Sequence, residues 1–184
     1  FADLGQRRWL EMSRAIEAEI ARRDGHPDQA EGLLRSVLVF FRYQGDANNA
    51  LQIAATLSEV LCDLGRFDEA DLLGGEVARE AAPDDLETQV AWRSVRARTK
   101  IDVGDAAGAV ALAEQAASIA DSTDFVLLQA EAHRSLSEAL AGAGRPADAV
   151  AALEVTIERY GAKRAIVPEE DARERLRKLR RATG

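Results

Sequence analysis

A fourfold internal repeat constrains this chain more than any other feature. Gly25-His-Pro-Asp-Gln-Ala30, Gly65-Arg-Phe-Asp-Glu-Ala70, Gly104-Asp-Ala-Ala-Gly-Ala109 and Gly144-Arg-Pro-Ala-Asp-Ala149 share a glycine followed five residues later by an alanine, and their glycines stand 40, 39 and 40 residues apart. Seven residues before each glycine sits a small residue: Ala18, Ser58, Ala97 and Ser137. Glycine at the end of a helix tolerates the left-handed backbone that closes it. The alanine after it and the small residue before it let two antiparallel helices approach closely. A single such pair cannot bury its apolar face, so neighbouring pairs must stack.

The expected fold is therefore all-α: a right-handed superhelical solenoid of about four helix pairs followed by a terminal helix, running as one repeat domain through residues 1–184. The pattern places the repeats at about 5–43, 45–81, 84–120 and 123–160, and the terminal helix at about 168–182. An aromatic content of only 5% and just four prolines agree with closely packed helices rather than sheets. Asp84 and Glu87 form a capping box for the fifth helix. Pro168 followed by Glu169, Glu170 and Asp171 marks the start of the last one. Phe1 and Gly5 precede Phe41 and Gly45 by 40 residues, which predicts that the chain opens at the tail of a preceding repeat and belongs to a larger protein.

The stretch "LCDLGRFDEADLL" resembles a tetratricopeptide repeat, in which a Gly-x-Tyr/Phe-x-x-Ala turn joins paired helices. Residues 82–144 more narrowly resemble the C-terminal repeats of bacterial multidomain regulators, both those carrying nucleotide-cyclase or DNA-binding output domains and the MalT-like signal-transduction ATPases. In such proteins the repeats sense, autoinhibit or dock partners. The resemblance thus implies a non-catalytic interaction or regulatory module of a bacterial signalling or transcriptional regulator. Its partner would be a protein, a peptide or another domain of the same parent. The rival expectation is a sensor binding a small effector in the superhelical groove.

Composition and motifs exclude several other classes. A formal net charge of −8 opposes general nucleic-acid binding, which needs clustered cations to release counterions. The apolar stretch 33–41 is far too short to cross a bilayer, and the lone Cys62 cannot form an internal disulfide, so a reducing cytoplasmic setting is expected. No Gly-Lys-Ser/Thr follows the repeat turns, which removes a phosphate-binding loop. His26 and His133 lack a second histidine or cysteine one turn away, so no metal, cofactor or catalytic centre is expected.

Two sets of residues stand out as candidates for binding. On the repeat register, Glu19, Glu59, Ser94, Arg98, Arg134 and Glu138 should face the groove lined by the first helix of each pair. The fifth helix also carries a polar stripe of Gln89, Arg93, Arg96 and Lys100, where the second and fourth repeats place Ala54, Leu57, Leu61 and His133, Leu136, Leu140. One reading makes the stripe a structural seam with Glu76, Glu80 or Glu114 as counter-ions. The other makes it a site for an anion or acidic peptide. Finally, Trp9, Met12, Ile16 and Ile20 form one apolar stripe on the first helix, which predicts weak homodimerisation through that end.

Overall fold

A computed structural model describes residues 2–183, with side chains described for 5–182; Phe1 lies outside the described residues. Nine helices follow one another among the described residues, which contain no strand. They are α1 (Ala2–Arg23), α2 (Pro27–Tyr43), α3 (Ala47–Asp63), α4 (Phe67–Glu80), α5 (Leu86–Asp102), α6 (Ala106–Asp121), α7 (Val126–Gly142), α8 (Pro146–Lys163) and α9 (Ile166–Thr183).

The repeat glycines end helices as their spacing predicts. Gly25, Gly65, Gly104 and Gly144 all hold φ between 70° and 82°. At Gly25 the next amide, that of His26, donates to the Ala21 carbonyl, while the Gly25 amide donates to Arg22. This pair of bonds satisfies the last carbonyls of α1, and it recurs at the other three turns. Gly45, between α2 and α3, makes the same turn, so the motif also joins one pair to the next. At the end of α8 the left-handed position is held by Arg164, at φ 54°, with no glycine to announce it.

Several boundaries differ from expectation. Gly5 lies inside α1 and is not a turn equivalent to Gly45; nothing around it ends the helix, and its surroundings are open. Asp84 and Glu87 do not cap α5. Asp85 is the cap, accepting from the Thr88 amide at 3.2 Å and the Thr88 hydroxyl at 2.6 Å, a pairing equally available one residue later. Pro168 lies two residues inside α9, which begins at Ile166, because a proline in the first turn forfeits only an amide that has no helical partner.

The chain separates into two compact units, Phe1–Glu80 and Ala81–Gly184, where the sequence suggested one uninterrupted array. Five non-helical residues, 81–85, join α4 to α5. In the first unit the core is aliphatic and aromatic, with Leu34, Val37, Phe41, Leu57, Val60 and Val77 fully buried. In the second it is an alanine seam of Ala97, Ala109, Ala113, Ala139 and Ala149, closed by Val110 and Leu140. Ala30, Ala70, Ala109 and Ala149 are all wholly buried, as are Ala18, Ser58 and Ala97. In the fourth repeat the two signature positions meet directly, the Ser137 hydroxyl donating to the Ala149 carbonyl at 2.8 Å.

Gly75, within α4, serves no comparable purpose. A Cβ there would meet only the tip of Arg79, at 3.8 Å. Gly75→Ala should therefore raise stability by about 1 kcal/mol through helix propensity and a less flexible unfolded chain, readable in urea titration.

Candidate partner-binding face

Within each unit the first helices of successive pairs adjoin on one side and the second helices on the other. The second-helix side of the first unit is laced by α2–α4 pairs: Arg35 bonds Glu69 at 3.0 Å, and Arg42 bonds Glu76. Arg66, in the turn before α4, reaches Glu31 and Glu69.

The first-helix side carries a different arrangement. In the first unit Arg22 of α1, only 5% exposed, bonds Glu19 of its own helix at 3.2 Å. It also reaches Glu59 and Asp63 of α3, each at 3.4 Å. The second unit centres on Glu138 of α7, which receives Arg98 of α5 at 3.1 Å, Arg134 of its own helix at 3.1 Å and Arg175 of α9 at 2.8 Å. Arg134 also bonds Glu131 at 3.1 Å, and Arg175 bonds Asp171 at 2.7 Å. Glu19, Glu59, Arg98 and Glu138 occupy one register position, spaced 40, 39 and 40 residues apart. Each follows directly on the small residue that lets its helix pack, and so rides at the edge of the packed seam.

Of the six groove candidates, five therefore fall into these two ion-pair clusters, Glu19 and Glu59 in one, Arg98, Arg134 and Glu138 in the other. Ser94 does not line an open face: it is buried where α5 meets α7, its carbonyl accepting from the Ser135 hydroxyl at 3.3 Å. A small side chain there serves close helix approach. Arg22, Asp63, Glu131 and Arg175 were missed from sequence. The usable signal was the i,i+3 spacing of Glu19 to Arg22 and of Glu131 to Arg134.

The stripe on α5 resolves into local contacts. Gln89 donates to the carbonyls of Ala81 and Ala82, at 3.2 and 2.9 Å, and accepts from the Trp92 indole at 3.1 Å. Arg93 lies over the Trp92 ring, 4.1 Å from its centroid, and donates to the Gln89 carbonyl at 2.8 Å and the Gln115 side chain at 3.3 Å. These partners are neutral, and burial pulls its guanidinium below the ordinary arginine value. Lys100 bonds Asp105, the cap of α6, and Arg96 is half-buried. The acids expected as counter-ions are engaged elsewhere, Glu76 by Arg42 and Glu114 by Arg145; Glu80 lines a shallow groove with Arg42 and Glu76. Amide side chains and an indole one turn away reach the guanidinium more readily than carboxylates on other helices.

Among the described residues no three histidine, cysteine or acidic side chains converge as a metal site would require. Cys62 is buried, and His133 places Nε2 at 3.1 Å from both carboxylate oxygens of Asp121. No helix among the described residues is long and apolar enough to cross a membrane.

Several carboxylates away from the first-helix side are held below their usual range: Glu31 by hydrogen bonds from Arg35 and then Arg66, Glu69 by Arg66 and then Arg35, and Asp105 by Lys100 and the Gly108 amide. Depressed folded values mean that the unfolded chain binds more protons in acid, so stability rises with pH through this range. The contribution is complete above the ordinary carboxylate pKa of roughly 4 and is lost as pH falls through the lowered folded values. The melting temperature should hold steady from neutral pH down to about 5 and fall steeply below about 4, and Glu31→Gln should flatten that acid limb.

No family model matches the chain, and no curated protein matches it. Among solved structures it is similar to the kinesin light chain TPR-like repeats of Podosopora anserina, with a TM-score of 0.57 and 20% identity over 94% of this chain and 95% of that one. A singly substituted form of the same protein matches to the same extent. A mutant of MamA is more distant, at a TM-score of 0.49 and 18% identity over 92% of this chain and 96% of that one. At such identities the likeness concerns the fold alone: this chain is an all-α solenoid of tetratricopeptide-like helix pairs.

Proposed function

We propose that this chain is a non-catalytic docking module that binds a polypeptide partner on its first-helix side. The observation that carries this reading is the register column of Glu19, Glu59, Arg98 and Glu138, whose half-buried charges are preorganised by Arg22 in one unit and by Arg134 and Arg175 in the other. Such charges have already lost much of their hydration, so a partner that supplies complementary groups exchanges one ion pair for another at little further desolvation cost. The likeness to tetratricopeptide-like repeats supports a protein partner over a reaction, and the resemblance of residues 82–144 to bacterial regulator repeats supports a place within a larger regulatory protein. The buried free thiol of Cys62 is consistent with a cytoplasmic setting.

Selection of a displayed random-peptide library on the whole chain tests this. Selected peptides should lose roughly 10-fold or more in affinity for Arg98→Ala or Glu59→Gln, the scale of a truncated interfacial charge pair. Arg35→Ala, on the second-helix side, should leave binding unchanged. Peptides indifferent to every first-helix substitution would overturn the assignment. A large saturable thermal shift from a small metabolite, with no peptide selected, would favour an effector sensor instead.

A further inference from the structure

We infer that the exposed face of α1 is a self-association surface on which a second copy of this chain docks its own α1 antiparallel. This goes beyond the peptide-docking reading and concerns a different face of the helix. Trp9, Ile16 and Ile20 are 74%, 61% and 57% exposed, and Leu10 beside them is 52% exposed. Spaced by seven and four residues, the first three form one narrow stripe, opposite the buried Ala18 and Ala21. A scattered exposed leucine needs no explanation, but a contiguous stripe containing tryptophan does.

The repeat register shows what this face is shaped for. Ile20 stands where the other pairs place Val60, Thr99 and Ala139, which are 0%, 4% and 0% exposed. Ile16 stands where they place Val95 and Ser135, at 1% and 2%. Within the second unit that face of α7 is covered by the preceding pair: Ser135 bonds the Ser94 carbonyl of α5, Ala139 packs with Ala97, Ala109 and Ala113, and Leu128 packs with Val90, Ala116 and Ala120. On α1 the same face carries larger apolar side chains than its covered equivalents, yet it stands open to solvent.

Charge selects the occupant. The basic residues of the stripe's N-terminal flank, Arg7 and Arg8, and the acids toward its C-terminal end, Glu17, Glu19 and Asp24, make α1 complementary to its own reverse. An antiparallel twofold pairing sets Trp9 of one copy over Ile20 of the other, with Ile16 near the axis. Such symmetry brings the same flank of each helix together in opposite directions. Arg8, which bonds Asp46 within its own copy, then comes within about two residues of the level of Glu19 in the other copy. A head-to-tail contact is disfavoured, because the exposed face of α9 is polar, with Glu170, Asp171, Arg173, Arg177 and Lys178. One helix per copy is a small interface, so half-association is expected on the order of 100 µM.

Sedimentation velocity of the whole chain decides the matter. The mass should climb from 19.9 kDa toward twice that value with concentration, with Trp9 fluorescence shifting in step. Trp9→Glu and, separately, Ile16→Glu should each abolish the rise, and Arg8→Glu should weaken it at least several-fold. Both apolar positions are mostly exposed in the single chain, so these variants should fold, with unchanged circular dichroism and melting temperature when dilute. A monomeric mass at millimolar concentration would overturn the proposal and leave the stripe to a helix of another protein. Association that survives both glutamate variants would overturn it equally. Because Arg98 is remote from α1 in sequence and lies in the other unit, loss of peptide binding in Arg98→Ala with self-association intact would separate this result from the docking reading.

Discussion

Arg22→Ala should destabilise the first unit by about 3 kcal/mol, the largest electrostatic effect expected of any single substitution in the chain. The guanidinium is 5% exposed and bonds three carboxylates, Glu19, Glu59 and Asp63. Removing it leaves three acids facing one another where one cation had joined two helices. Those acids retain between 21% and 29% exposure, so water offsets part of the loss and holds the cost at the lower end for a broken buried pair. For a unit of this size the melting temperature should drop by more than roughly 10 °C at neutral pH. The gap between wild type and variant should narrow in acid, because protonation of the three carboxylates removes both the ion pairs and the repulsion. Urea titrations at neutral and acid pH check both statements. A loss below about 0.5 kcal/mol at neutral pH would show that the cluster behaves as ordinary surface charge.

Phe41→Ala should cost about 4 kcal/mol, through lost transfer energy and the cavity left behind. Phe41 is 1% exposed, lies on α2 among Leu34 and Val37, and meets the edge of Phe40 with ring centroids 5.3 Å apart at 77°. In an array of stacked pairs, stability is close to a sum of local and nearest-neighbour terms. The loss should therefore concentrate in α1–α4, and hydrogen exchange should quicken there while the amides of α7–α9 keep their protection. Uniform loss of protection along the chain would show that the two compact units unfold as one.

These two residues also show what could be read from sequence. Phe41 belongs to an amphipathic helix bounded by Pro27 and Gly45, and its burial follows from local periodicity. Arg22 does not: its partners Glu59 and Asp63 lie 37 and 41 residues away, and with 24 cations and 32 acids the chain allows far more pairings than it uses. The same degeneracy concealed the meeting of Arg98, Arg134 and Arg175 on Glu138. It also made Glu76 and Glu114 look available to α5 when they are engaged by Arg42 and Arg145.

The sequence by itself determined the helices, their pairing and their period. Each rests on short-range physics: a glycine that tolerates positive φ, a small residue that permits close approach, an apolar face that repeats every turn. Tertiary structure decided which charges meet, which serine is buried in a helix seam, where the chain divides into two units, and which apolar face stays uncovered. Those outcomes depend on side chains brought together across tens of residues, where several partners of equal chemistry compete and only distance selects among them.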